Sequence, residues 1–330
     1  MNLPAVDPTA QTEPTYESLL PKDIAWKDLP RVLGSGLAMG TADVVPGVSG
    51  GTMAVACGIY MELLAAINSI NGRALQALAR LRFGELLQVV HWRFMVSLGL
   101  GIGLAFVVML RVVGLPRLLQ EHPTEVYAVF FGLVLASVFV LARRVEGWTA
   151  GRVGAGVVGA ALGFAIVNLV PVATPDNPAF VFLCGVIAIC AMILPGISGS
   201  FVLLILGKYE YVISSVERLM HFDLGALAVV VPFAAGCVVG LASFSRLLSW
   251  MLARWHQPML AGLTGLLVGS LWRIWPFQEV VQQEVRGKLK VVSATPFWPT
   301  SFQPGVLGLV LAGLAAVVAV EILAARRSAD

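Results

Sequence analysis

Charge is scarce in this chain. Asp, Glu, Lys and Arg supply 12% of its 330 residues, whereas 58% are hydrophobic; a soluble domain carries roughly 25% charged residues. That balance excludes an ordinary soluble fold, and several apolar runs approach the ~20 residues that cross a bilayer as a helix. The chain therefore reads as an all-α polytopic membrane protein. Cysteine and histidine are equally sparse, at four each. Cys57, Cys184, Cys190 and Cys237 lie inside apolar runs, without disulfide or metal spacing. His91, His122, His221 and His256 stand singly near segment ends, so neither a metal nor another cofactor is expected. No clustered His, Arg and Asp set with catalytic spacing occurs, which argues against an enzyme. The net charge of +3 is small, and no nucleic-acid partner is expected. A positively charged start with a short apolar core, the mark of a cleaved signal peptide, is also missing. Residues 1–28, rich in Pro, Thr and acids, read as a disordered cytoplasmic tail ahead of a single membrane domain over 29–330.

Glycine, by contrast, is plentiful, and two clusters of it cut apolar runs in the middle. The first run, from Gly34 to Ile70, is interrupted by Pro46-Gly47-Val48-Ser49-Gly50-Gly51, followed by Thr52. The second, Phe180 to Val216, is interrupted by Pro195-Gly196-Ile197-Ser198-Gly199-Ser200. Proline removes a backbone donor and pushes the preceding residue out of the helical region, and the glycines beside it accept most dihedrals. Each run is therefore expected to form two short helices around an unwound hinge. With the prolines aligned, Pro46 and Pro195 are 149 residues apart, and Gly36, Ala42, Ser49, Gly50, Gly58 and Tyr60 fall on Gly185, Ala191, Ser198, Gly199, Gly207 and Tyr209. One such break is a kink. Two in corresponding halves point to a transport site, because unwound backbone at membrane depth is tolerated only where protein buries it or a cavity is lined.

The charges suggest a topology. Arg73, Arg80, Arg82 and Arg93 flank an amphipathic stretch from Arg73 to Trp92 that reads as an interfacial helix on the cytoplasmic face. Spans are expected at about 93–114, 125–142 and 152–171, and at about 225–246, 258–275 and 304–325. Arg143, Arg144 and Arg152 put one loop inside; the loop Pro171–Pro178 has no positive charge and falls outside. The odd number of spans between the broken segments inverts the second copy. The expected architecture is an inverted repeat, 29–171 and 178–325, each half a re-entrant broken hairpin plus three transmembrane helices. Lys208, Arg218, Arg286, Lys288 and Lys290 fall outside in this scheme, against the usual rule, and 277–303 reads as a structured external loop. The pairs Gly99/Gly103, Gly159/Gly163, Gly236/Gly240 and Gly265/Gly269 signal close helix packing.

A half-helix beginning after each break would present free N–H groups and the positive end of its dipole. Ser49, Gly50, Gly51 and Thr52 form one candidate cradle, and Ser198, Gly199 and Ser200 the other; converging, they favour an anion. The unwound Val45 and Leu194 carbonyls leave a sodium site open as the alternative. Asp43, three residues before Pro46, is a carboxylate at apparent membrane depth. It either caps the hinge or couples transport to a proton or sodium; its counterpart in the second copy is Met192. Arg111 and Arg246 could receive an anion at opposite faces, or snorkel to headgroups. Arg273 and Glu62 are a candidate structural ion pair.

The pattern Ala42-Asp43-Val44-Val45-Pro46-Gly47-Val48-Ser49-Gly50-Gly51-Thr52, then Gly58-Ile59-Tyr60, resembles the bacterial PopT-type polyprenyl-phosphate transporter family. The second signature, Pro195–Ser200 with Gly207 and Tyr209, resembles it too. The likeness extends from about Arg31 through nearly the whole chain. It implies a protein of the bacterial cytoplasmic membrane that returns undecaprenyl phosphate across the bilayer, with polyprenyl phosphate lipid as its partner. An ion-coupled carrier of a small soluble anion is the competing reading.

The topology is testable with single cysteines in a cysteine-free background. A cysteine at Pro175 is expected to react with an impermeant thiol reagent in intact cells, and one at Arg80 only after permeabilisation. Labelling of both from one side would refute the inversion.

Overall fold

The computed structural model describes residues 23–329, apart from 173, 286–287 and 301–302. The first half opens with α1 (Leu29–Val44), α2 (Gly50–Ala56) and α3 (Tyr60–Ser69), then α4 (Gly72–Ala79) and α5 (Phe83–Val89). It continues through α6 (Trp92–Val107), extended by a π-helical turn at Val108–Val112, α7 (Leu115–Glu121), α8 (Pro123–Arg143) and α9 (Ala150–Val167). The second half comprises α10 (Pro178–Ile193), α11 (Gly199–Ile205), α12 (Tyr209–Met220), α13 (Leu227–Arg254), α14 (His256–Ser270) and α15 (Pro304–Ala329). Five helices are long and apolar enough to cross a membrane, or up to seven spans if each of two bent helix pairs counts as one. Apolar side chains such as Leu100, Val157, Val238 and Leu311 stand exposed along them. Surface of that kind is stable only in hydrocarbon, so this is a multi-pass membrane protein.

Several expectations need correction. The span expected at 225–246 runs on to Arg254, so Arg246 lies within α13 rather than at its end. The span expected at 258–275 is α14, only 15 residues and mostly buried, ending in a 3₁₀ turn at Leu271–Ile274. At ~1.5 Å per residue it is too short to cross the hydrocarbon alone. The interfacial helix expected over 73–92 is two helices, α4 and α5, because Leu81 turns the chain at φ 54°. The structured loop expected over 277–303 holds two strands, so the chain is not purely α: β1 (Gln278–Val285) and β2 (Lys288–Pro296) form an antiparallel pair, bulged at Val281/Gln282. Of the tail, residues 1–22 lie outside the described residues. Residues 23–28 are ordered: Ile24 is buried, and the Asp23 carboxylate accepts from the Arg93 and Phe94 N–H groups at 3.4 and 3.2 Å, closing the start of α6.

Four helix pairs carry the packing: α1 with α6, α10 with α13, α9 with α14, and α8 with α15. Three of the four expected glycine pairs lie at such seams; a Cβ on Gly265 would run into the Gly156 carbonyl, and one on Gly236 into that of Phe182. Gly99 and Gly103 face open space, and Gly101 supplies the α6 seam instead, its Cα against Gly36 of α1. Contacts climb together along both members of a pair: Gly36 meets Leu98, Gly40 meets Ile102, Gly159 meets Gly262, Gly163 meets Leu266. The partners in these two pairs are therefore parallel, as are those of α10 and α13, where Gly236 meets Phe182 and Gly240 meets Val186. Helices α1 and α6 can run the same way only if the chain between them doubles back, which α2 and α3 accomplish. Helices α11 and α12 do the same between α10 and α13. The turn between members of each short pair is 119° and 111°, taken by Gly58 (φ 73°) and Gly207 (φ 63°).

The hinge regions, not the long spans, are the best-buried part of the molecule. Val45, Val48, Thr52, Val55 and Ile59 are all sealed from solvent. Among the long helices only α8 is buried over more than half of its apolar window (56%), and it packs on α2, α14 and α15, so it forms the central post.

Candidate functional site

Each break is built the same way. The residue before the proline leaves helical geometry, Val45 at φ −91°, ψ 120° and Leu194 at φ −70°, ψ 128°. The following glycine turns back through positive φ, 88° at Gly47 and 92° at Gly196, a conformation that costs glycine little and other residues more. Ser49 and Ser198 then stand as N-caps of α2 and α11, each seven residues long.

The two breaks touch. The Gly196 N–H donates to the Thr52 Oγ1 at 2.9 Å, and the Tyr60 hydroxyl donates to the Ile193 carbonyl at 3.1 Å, both buried. A Cβ on Gly51 would approach the Met192 and Ile193 carbonyls at 3.0 and 3.2 Å, so the backbones of the hairpins are in near contact. The α14 end closes the assembly: Ser270 and Leu267 press on Gly196, and Arg273 on Gly47. From α8, the Tyr127 hydroxyl donates to the Pro46 carbonyl at 3.4 Å.

The two caps differ. At the first break the Asp43 Oδ1 accepts the Gly50 N–H at 2.8 Å and the Ser49 Oγ accepts the Gly51 N–H at 3.2 Å. The Thr52 hydroxyl is committed to the second hairpin. At the second break Met192 replaces the carboxylate, and the Ser198 side chain makes no bond to the α11 backbone; its hydroxyl pairs with that of Ser200 at 2.9 Å. Ser198 is nearly buried and Ser200 is exposed. The donors of α2 are thus satisfied within the protein, and α11 carries two hydroxyls at an uncapped N-terminus.

Arg273 is the residue that sequence reasoning misplaced. Glu62 does not pair with it; Glu62 accepts from Arg31 at 2.8 Å. The Arg273 side chain instead lies between the hairpins. A Cβ on Gly47 would sit 3.0 Å from its Cγ, and its guanidinium lies 4.8 Å from the Phe201 ring centroid, in the cation–π range. It therefore spans from break one to the first turn of α11. The signal was present as an arginine closing an apolar segment, but spacing alone gave no hint of which hairpin it faced. Neither Arg111 nor Arg246 is drawn into this cluster. Arg111 is exposed in the π turn after α6, and Arg246 is exposed on α13, donating to the Ile70 carbonyl at 3.3 Å.

Lys208, which sat awkwardly outside, has a structural explanation. It is buried, bonded to the Thr174 carbonyl at 2.8 Å and the Asp176 carboxylate at 2.5 Å, so it staples the 171–178 loop to hairpin two. Its charge is matched locally and carries little weight in setting orientation.

These features define a class: a helical, multi-pass membrane protein whose centre is two broken helices bonded to each other and pinned by a shared arginine. Within that class the chain belongs to the VCA0040-like family, described as undecaprenyl phosphate translocase-like, which it matches over residues 39–292. It is 38% identical over 297 residues to a polyprenyl-phosphate transporter of Vibrio cholerae, covering 87% of this chain and 94% of that protein. A polyprenyl-phosphate transporter of Staphylococcus aureus is 28% identical over 254 residues, 73% of this chain and 84% of that protein. No solved structure matches the chain.

The inter-hairpin bond can be weighed directly. Thr52→Val keeps the shape and leaves the buried Gly196 N–H unsatisfied, so it should lower stability by about 1–3 kcal/mol. Thr52→Ser should be close to wild type. Chemical or thermal unfolding in detergent reads the difference; equal stability of all three proteins would mean the bond does not hold the hairpins together.

Proposed function

We propose that this protein carries a polyprenyl phosphate across the bacterial cytoplasmic membrane, with the phosphate held where the hairpins meet and the chain left in the bilayer. The relatives bear that activity in their names, and the transporter reading leaves no role for an enzymatic site. The observation that carries the proposal is the position of Arg273. An arginine fixed between a glycine-lined hinge and an uncapped, hydroxyl-bearing α11 N-terminus is suited to a phosphate group, since guanidinium presents planar paired donors. Ser198, Gly199 and Ser200 contribute donors from hairpin two; Pro46, Gly47, Ser49, Gly50, Gly51 and Thr52 form the opposing wall, with Pro195 and Gly196 completing the turn.

The inverted repeat belongs to this proposal. Its support is that α1/α6 and α10/α13 are matched parallel pairs, and that α8/α15 and α9/α14 exchange partners between the halves as a two-fold relation requires. Hairpin one then opens to the cytoplasm and hairpin two to the outside. Arg111 and Arg246, exposed at the ends of this arrangement, serve as first contacts for the headgroup.

Asp43 caps the first hinge. Its bond to the Gly50 N–H holds the α2 end shut, and the carboxylate would repel a phosphate placed against it. A proton or sodium that neutralised Asp43 would release Gly50 for the ligand, which makes this residue the coupling point.

Reconstitution with a defined polyprenyl phosphate tests the reading. Ser198→Ala should slow transbilayer movement about two- to tenfold, as loss of one ordinary hydrogen bond would. Arg273→Gln should slow it at least about tenfold. Gly199→Val should abolish it, because a Cβ there meets the Ala188 carbonyl at 2.6 Å. Asp43→Asn should keep lipid binding while losing dependence on an ion gradient. Transport of soluble phosphate with no movement of the lipid would instead establish the small-anion carrier.

A further inference from the structure

A second site lies far along α1 from the break, where α1 and α6 begin. Between these helices runs a groove of about 350 Å³, within the roughly 300–1,000 Å³ of small-molecule sites. Its walls are apolar, from Leu29 and Leu33 on one side and Val96 and Leu100 on the other. Ser97 also borders it, but its hydroxyl is spent on the Leu29 carbonyl at 2.9 Å. Leu100 is 62% exposed, so the groove opens sideways to the bilayer.

One end is charged. The Arg93 guanidinium lies 5.1 Å from the Trp26 ring and 5.8 Å from the Trp92 ring, and its Nη1 donates to the Ile24 carbonyl at 3.2 Å. Its Nε is buried without a hydrogen-bond partner among the described residues. The Asp23 carboxylate beside it is engaged by backbone N–H groups of Ile24, Arg93 and Phe94 and makes no ion pair with the Arg93 side chain among the described residues. A cation is thus held at the mouth of a lipid-facing slot, framed by two tryptophans of the kind that settle at a headgroup interface, with a donor still to satisfy.

We infer that this groove docks the head and first isoprene units of the transported lipid phosphate on its way to or from the hairpins. The inference rests on the proposed function. A cation at one end and apolar walls beyond it suit a phosphate head followed by a prenyl chain. The monoester head supplies the negative charge that the Arg93 side chain does not meet in an ion pair among the described residues. The groove lies at the start of α1, the helix that leads to the break at Gly47.

The test uses the full chain in phosphatidylcholine nanodiscs and a polyprenyl phosphate bearing a diazirine in its first isoprene unit, with labelled peptides mapped by mass spectrometry. Labelling is expected in peptides containing residues 29–33 and 96–100, competed by unlabelled polyprenyl phosphate but not by equal phosphatidylglycerol. Arg93→Gln should cut it at least about tenfold. Leu33→Trp, which fills the slot and leaves Arg93 in place, should cut it as well, guarding against misfolding of the arginine variant. Equal competition by phosphatidylglycerol, or undiminished labelling in both variants, would overturn the assignment. Transport is measured on the same wild-type preparation: lipid movement without groove labelling overturns the groove alone, and specific groove labelling without lipid movement supports the groove while overturning the transport reading.

Discussion

The structure depends on how two pieces of broken backbone are satisfied in a place without water. A helix break at membrane depth exposes N–H and C=O groups that cost several kcal/mol each if left bare. Here much of the debt is settled between the hairpins: Thr52 takes the Gly196 N–H and Tyr60 reaches the Ile193 carbonyl. Hairpin two cannot satisfy its hinge in full without hairpin one, whereas hairpin one meets its own through Asp43, Ser49 and Tyr127. That dependence places both hinges in the most buried region, with the long helices mainly as a wall around them. It also couples the halves mechanically, since a shift of one hairpin removes a bond from its partner.

The hairpins are alike in backbone and unlike in chemistry. Both use a proline, a positive-φ glycine and a serine at the N-cap position, and both leave their short helix through a second glycine turn. Yet the first is closed by Asp43 and Ser49, whereas the second keeps its hydroxyls on each other and takes Arg273 against Phe201. A symmetric pair would hold a ligand equally at both hinges. Under the proposed function, this asymmetry puts most of the binding on hairpin two with Arg273, and control on hairpin one through Asp43.

Much of this was legible in the chain. The breaks were placed to the residue because Pro-Gly in an apolar run has few alternatives, and the duplicated spacing showed that they belonged together. The capping role open to Asp43 followed from its distance to the hinge, and the structure supplies the bond. What spacing could not reveal was which elements meet. Glu62 pairs with Arg31, 31 residues earlier, and not with Arg273, because the chain doubles back through α2 and α3 and brings the two side chains within reach. The order of contact between α14 and the hinges is likewise a tertiary fact, so Arg273 passed as a structural ion. Lys208 looked like a topology violation until the Asp176 and Thr174 groups around it were visible. The β-hairpin was missed because alternation in 278–296 is weak and charged residues interrupt it. Gly101 replaced Gly99 and Gly103 at the α6 seam since sequence shows glycine pairs but not which face of the helix a neighbour will cover.

The central claim is that one phosphate is held by both hairpins together. Amide hydrogen exchange on the unmodified protein in nanodiscs tests it most directly. On saturation with polyprenyl phosphate, peptides spanning 45–53 and 194–202 should slow together and at the same lipid concentration, and the neutral polyprenol should leave both unchanged. Protection of one break alone, or equal protection by the alcohol, would contradict a shared phosphate site.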